Sequence, residues 1–322
     1  MCALLTLAIP LAVAQAYPAR SITLVVPFPA GGPTDSLARQ LAVAMQPSLD
    51  GVPIVVENTA GAGGTLGAAK VARATPDGYT LLIWHVGMAA SGSLYPKLAF
   101  SPLQDFEYLG LINDVPMALL GTSRLPAANY GEMLDHIRRH RGRLHLAHAG
   151  LGSASHLCGL MWMSAAGLKE KLSPVPYRGT GPAMSDLIGG QVDVMCDQTT
   201  NASEQIRAQR IKAFAVTTER PLLDLEIFSG FPTLDQVGLN GFNLTIWHGL
   251  YAPGGTPSEI RQKVNDALRQ ALKDPIFQAS QAALGAKVVQ DHRLSPEGHK
   301  AFVAQETEKF RLAIEATGTF SD

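Results

Sequence analysis

The chain has 322 residues, 46% hydrophobic and 16% charged, which fits two well-covered α/β domains and excludes a disordered protein. With 26 Lys and Arg against 27 Asp and Glu the formal net charge is −1, so nothing global attracts nucleic acid or anionic lipid. Any preference for anions has to be built locally.

Residues 1–16 carry no charge, are rich in Ala and Leu and end Ala14-Gln15-Ala16, the small-x-small pattern that precedes signal-peptide cleavage. Export is therefore expected, with a mature chain from Tyr17 and no membrane insertion once the signal is removed. Cys2 leaves with the signal. Cys158 and Cys196 remain as a possible disulfide, although both also sit in apolar contexts where free buried cysteine is common. No CxxC pair supports a zinc site.

Ile22–Asp35 is the stretch that sets the chemistry. A β-branched run breaks at Pro27, passes Gly31 and Gly32 and enters a helix near Thr34. That order leaves unpaired backbone N–H groups at a strand end, where a helix N-terminus stabilises an anion by about 0.3–2 kcal/mol. After the helix to Met45 come a strand over 52–58, a small-residue helix over 68–74 behind Gly61-Ala62-Gly63-Gly64, and a strand over 79–84. Leu66 stands where a dinucleotide fingerprint needs glycine, so that reading fails. Alternation of this kind predicts a mainly parallel sheet covered on both faces.

Residues 106–121 form two apolar runs broken by Asn113, Asp114 and Pro116 and read as a crossing into a second domain. An amphipathic helix over 130–140 ends in a basic cluster without interleaved aromatics, which reads as a solvated helix end and not a nucleic-acid patch. His136 and His140 have metal spacing but no third ligand in view. The strand-glycine-helix device then recurs twice. It appears at 144–162 around Gly152, Ser153, Ala154, Ser155 and His156, and at 175–188 around Arg178, Gly179 and Pro182. A strand over 191–196 runs toward Asp197, followed by a helix over 202–209 and a strand over 211–217. Gly241–Tyr251 brings the chain back. Thr256-Pro257-Ser258-Glu259 reads as a capping box, and a last long helix starts near Ser295.

Ser153, Ser155 and His156 are sequence neighbours outside any Gly-x-Ser-x-Gly turn, a weak basis for a hydrolase. No phosphate loop of nucleotide hydrolases is present. Asp35, Asp186 and Asp197 could converge as acids, but nothing in their spacing favours it. Arg178 reads either as an anion clamp or as a surface arginine, and Asp197 either as a selector of a ligand amino or hydroxyl group or as a turn cap. Trp84 and Trp247 read either as cleft walls or as core.

Read in order, Val25–Asp35, Val56-Glu57-Asn58 with Gly61–Gly64, Thr75–Thr80, Gly152–Leu157, Tyr177-Arg178-Gly179 and Asp186–Asp193 resemble the periplasmic receptors of tripartite tricarboxylate transporters, the Bug family. The resemblance implies a two-domain α/β Venus flytrap fold with a discontinuous first domain (17–118 plus 246–322) and a second domain (119–245). It implies capture of a small organic acid for separate membrane transporter subunits by a monomer, with no cofactor and no turnover. A same-fold receptor for a sensor kinase and a periplasmic enzyme on carboxylated substrates are the alternatives. The implied ligand loops are Phe28, Pro29, Ala30, Gly31, Gly32, Thr34 and Asp35, and Gly152 to His156, with Arg178, Gly179, Asp197, Trp84 and Trp247 completing the cleft. Pro33 removes one amide donor from the first loop.

Overall fold

The computed structural model describes residues 16–140, 142–168 and 171–317. The proposed signal sequence therefore lies, but for its last residue, outside the described residues. The first βα units run β1 (Ile22–Val26), α1 (Pro33–Met45), β2 (Ile54–Asn58), α2 (Thr65–Ala72), β3 (Thr80–His85) and α3 (Gly87–Leu94). Strand β4 (Phe106–Thr122) leads into α4 (Tyr130–Arg139), β5 (Leu144–His148), α5 (Ala154–Ala165), β6 (Leu172–Pro176), α6 (Thr180–Gly189), β7 (Val194–Gln198), α7 (Thr199–Arg207) and β8 (Ile211–Val216). The chain returns through β9 (Thr245–Pro253) and closes with α8 (Ser258–Ala271), α9 (Pro275–Ala283), β10 (Lys287–Val288) and α10 (Pro296–Thr317).

These elements build two α/β lobes, as the sequence predicts. The strands that alternate with helices pair in parallel: β2 and β3 on β1 in the first lobe, β6 and β7 on β5 in the second. Antiparallel pairing enters where the chain crosses. Strand β4 is continuous through Asn113, Asp114 and Pro116, where the sequence suggests two runs. Up to Pro116 it pairs with β9, and from Met117 onward with β7 and β8. At about 3.3 Å per residue such a strand spans roughly 55 Å, enough to serve both sheets.

Each lobe has its own apolar cluster, Leu24, Leu41 and Leu109 in the first and Leu120, Leu187 and Met195 in the second. A larger cluster joins Trp84, Leu119, Cys158 and Phe214 across the crossing. Helix α3 is largely buried through Met88, Ala89, Ala90 and Ser91, so it lacks the polar face that would mark it in sequence. The capping box at Thr256 does not form. Thr256 Oγ1 instead donates to the Pro253 carbonyl at 2.7 Å, and the α8 N-cap is Pro257 without a side-chain cap.

Candidate functional site

Three helix N-termini meet at one cavity. Its wall includes Pro33 and Thr34 from the first turn of α1, Ala154 and Ser155 from α5, and Thr180, Gly181 and Pro182 from α6. Gly32 and Gly179, the N-caps of α1 and α6, supply no side-chain cap, so first-turn amides there remain for another partner. The lining contains no Lys, Arg, Asp or Glu. Aligned N-termini nevertheless make the space electropositive, each contributing about 0.3–2 kcal/mol toward an anion.

The lobes touch around this cavity. A Cβ on Gly179 would lie 2.9 Å from Pro29 Cδ, and one on Gly63 only 1.8 Å from the Leu151 carbonyl oxygen. Tyr95 Oη donates to that same carbonyl at 2.7 Å. Glycine at 63 and 179 thus permits an approach of the two lobes that any side chain would prevent.

Of the residues the sequence points to, Phe28, Pro29, Ala30, Gly32, Thr34, Ser153, Ala154, Ser155 and Gly179 line the cavity. Gly31 and Asp35 stand behind it. Asp35 accepts from the Gly31 N–H at 2.9 Å, from Asn58 Nδ2 at 2.9 Å and from Arg39 through two 3.0 Å bonds. Asn58 Nδ2 also reaches the Phe28 carbonyl at 3.0 Å, so the cluster ties the loop at both ends. Burial opposes ionisation of Asp35, but bonds from Arg39, Gly31 and Asn58 outweigh it and hold the carboxyl below its ordinary range.

Gly152 and His156 also support from behind, since His156 Nδ1 accepts the Gly152 N–H at 3.2 Å. Burial lowers the His156 pKa to about 3, leaving a neutral ring packed 4.8 Å from His148. Ser153 is the N-cap of α5. It accepts the His156 N–H at 3.2 Å and donates its own hydrogen to the Gly150 carbonyl at 2.7 Å. Ser155 accepts the Ala149 N–H at 2.8 Å and, since the Ser153 hydrogen goes to Gly150, donates its own to Ser153 Oγ across a long 3.2 Å, a bond that a carboxylate can displace. Among the described residues no side-chain-to-side-chain hydrogen bond joins Ser153, His156 and Asp197, so the geometry assembles no Ser-His-Asp relay.

Asp197 is fully buried outside the lining. Its Oδ2 accepts from Asn201 at 2.5 Å, while Oδ1 has no partner among the described residues. Burial pushes its carboxyl up to about 7 against the opposing pull of Asn201. Arg178 is exposed and outside the cavity wall. Both tryptophans belong to the core: Trp84 fills the space left by Gly64 and Gly87, and Trp247 donates to Glu306 at 3.2 Å and packs on Phe302.

The site residues named from sequence omit Pro33, Thr180, Gly181 and Pro182 of the turns themselves, and His85, Ala149 and Gln198, which complete the wall. His85 is brought in by antiparallel pairing of β3 with β9, where its register partner is His248. Cys158 and Cys196 are bonded, tying α5 to β7 beside the cavity. Among the described residues no cluster of three or more His, Cys, Asp or Glu is arranged for a metal ion, and no helix is long and apolar enough to cross a membrane.

Residues 37–319 match the family described as "Tripartite tricarboxylate transporter family receptor". An Agrobacterium vitis protein from the TAR-I ttuE-ttuC' intergenic region is 42% identical over 309 residues, covering 95% of this chain and 88% of its own length. The structure of the periplasmic binding protein BugD superposes with a TM-score of 0.90 at 43% identity, covering 95% of this chain and all of its own. MatC of Rhodopseudomonas palustris with bound malate gives a TM-score of 0.87 at 37% identity, covering 92% of this chain and 100% of its own.

Proposed function

The chain belongs to the tripartite tricarboxylate transporter receptor family, and from that premise we propose that it captures a small organic acid between its lobes in the periplasm. The acid passes unaltered to separate membrane subunits. The observation that carries this reading is the convergence of three helix N-termini on a cavity without charged side chains. Such a wall holds a carboxylate through amide N–H groups, the Ser155 hydroxyl and the His85 ring, with no ion pair to break on release. MatC, a relative of the same fold, has bound malate, which supports the same ligand class here.

We divide the chain into lobes 17–118 plus 246–322 and 119–245, because β4 changes sheets at Met117. The cavity between them measures ≈ 50 Å³, well below the roughly 300 Å³ of an ordinary small-molecule site. Entry of an acid therefore requires the lobes to part, and capture requires them to close. A thermal-shift and calorimetric screen of mono-, di- and tricarboxylates tests the proposal. Selective stabilisation by one class is expected, with the acid recovered chemically intact after incubation. Absence of binding by every acid, or consumption of the bound one, overturns it.

A further inference from the structure

Behind Thr34 a file of side chains leads away from the cavity. Thr34 Oγ1 lies 3.3 Å from His248 Nε2, and His248 Nδ1 lies 2.9 Å from Asn113 Oδ1. Asn113 Nδ2 donates to Gln281 Oε1 at 2.8 Å, and Gln281 Nε2 donates to Gln40 Oε1 at 2.8 Å. Ser280 Oγ donates to that same oxygen at 2.8 Å.

The file has a direction. Asn113 offers its oxygen to His248, so the imidazole carries its hydrogen on Nδ1. Full burial keeps that ring neutral, with its pKa lowered to about 3, which leaves Nε2 as a bare lone pair. The hydrogen in the Thr34–His248 bond is then the threonine's own. Thr34 has only one, and spends it inward. Thr34 lines the cavity, and all its oxygen has left to offer a ligand there is lone pairs.

Donors stand in the same wall. His85 Nδ1 accepts the Gly87 N–H at 3.0 Å, so its neutral ring carries hydrogen on Nε2, where no bond to a described residue is made. First-turn amides of α1, α5 and α6 also donate. Thr34 is thus an acceptor beside these donors, and a carboxylate oxygen placed against it meets lone pairs.

We propose that Thr34 determines specificity by requiring a hydrogen-bond donor close to the ligand's carboxylate, and so selects hydroxy acids over their unsubstituted parents. The inference rests on the carboxylate reading above. An uncharged hydroxyl suits the site better than an ammonium, because no carboxylate side chain lines the cavity to pair with a cation.

The test measures affinities for matched pairs, namely lactate with propionate, malate with succinate and citrate with tricarballylate, with aspartate to separate ammonium from hydroxyl. Within the best-bound pair the hydroxy acid is expected to bind at least about tenfold tighter, since its absence leaves a buried acceptor unpaired. Thr34→Val should shrink that ratio below about threefold, and Thr34→Ser should keep it. Equal affinities in the native chain, or a ratio unchanged by Thr34→Val, overturn the proposal while leaving carboxylate binding intact; failure of every acid to bind defeats the carboxylate reading itself. Long-range proton–nitrogen NMR of His248 gives a readout independent of ligand. The Nδ1–H tautomer is expected, and the Nε2–H tautomer overturns the proposed direction.

Discussion

Cys158 on α5 and Cys196 on β7 are joined by a disulfide, with their Cα atoms 5.9 Å apart and a sequence separation of 38. Three residues before Cys158 stands Ser155, and two after Cys196 stands Gln198, both in the cavity wall. The bridge thus fixes one wall to another. Closing a loop of that length restricts the unfolded chain by roughly 4 kcal/mol in the chain-entropy argument. Replacing both cysteines with alanine should lower stability by about 2–4 kcal/mol in urea unfolding. Thiol titration of the denatured, unreduced mature protein should find none; two free thiols would show that the pair is not bonded in the protein as made.

Ser153 and Ser155 separate capping from contact. Removing the Ser153 hydroxyl deletes the α5 N-cap, at a cost of about 1 kcal/mol in stability. Its hydrogen is already committed to Gly150, so ligand affinity should fall less than stability suggests. Ser155→Ala removes a hydroxyl hydrogen in the cavity wall, and we expect affinity to drop about fivefold or more. Calorimetry alongside thermal melts distinguishes the two. A larger affinity loss for Ser153→Ala than for Ser155→Ala would reverse these roles.

The three turns of the site are legible in sequence because each needs local chemistry: Gly31 and Gly32, Gly152 and Ser153, Gly179 and Pro182. Repetition of that order marks the device three times. That the turns meet in one place is a property of topology, set by β4 crossing between the sheets and β9 returning the chain to the first. His85 and His248 were invisible for the same reason, since they become neighbours only through antiparallel register. For Trp84 and Trp247, residue type was a poor guide: their size suits a wall or a core equally, and packing against Gly64, Gly87 and Phe302 decides for the core. Asp35 has a similar lesson. Its place at a helix start suggests ligand contact, but three surrounding donor groups turn it into the brace of the loop.

Gly31 and Gly63 should respond differently to a methyl group. Gly31 has φ +82° but open space around its missing Cβ, so Gly31→Ala costs about 1–2 kcal/mol of backbone strain and leaves the lobes free to meet. At Gly63 the added carbon would collide with the Leu151 carbonyl of the facing lobe. Gly63→Ala should weaken ligand binding more than tenfold, and small-angle scattering should no longer show ligand-induced compaction. Normal compaction in that variant would mean the contact is not part of closure.

Thr217 pins the two crossings together. Its buried Oγ1 lies 3.2 Å from the Met117 N–H, 3.1 Å from the Met117 carbonyl and 2.6 Å from the Leu244 carbonyl. Met117 is where β4 changes sheets, and Leu244 immediately precedes β9. Thr217→Val strips the hydroxyl while keeping the shape, leaving buried backbone groups with one partner fewer, at about 1–3 kcal/mol. Hydrogen exchange at residues 116–118 and 244–246 should accelerate in the variant, with exchange in α1 and α8 unchanged. Uniform acceleration across the chain would instead indicate simple global destabilisation.

Asp197 gives the protein a pH dependence of unusual sign. Its folded pKa is raised to about 7 by burial, whereas an unfolded aspartate titrates near 3.9. Between those values the unfolded chain has released a proton that the folded chain retains, so this group's contribution to stability falls as pH rises from about 4 to 7 and is level outside that window. The full change is on the order of a few kcal/mol. Asp197→Asn keeps a polar amide beside Asn201 and cannot ionise. The variant should gain on the native protein steadily from pH 4.5 to pH 7.5 in urea unfolding, and the difference between the two curves isolates this residue from all other titrating groups. Parallel curves over that range would mean that Asp197 is ionised in the fold and that its unpartnered Oδ1 has found a donor.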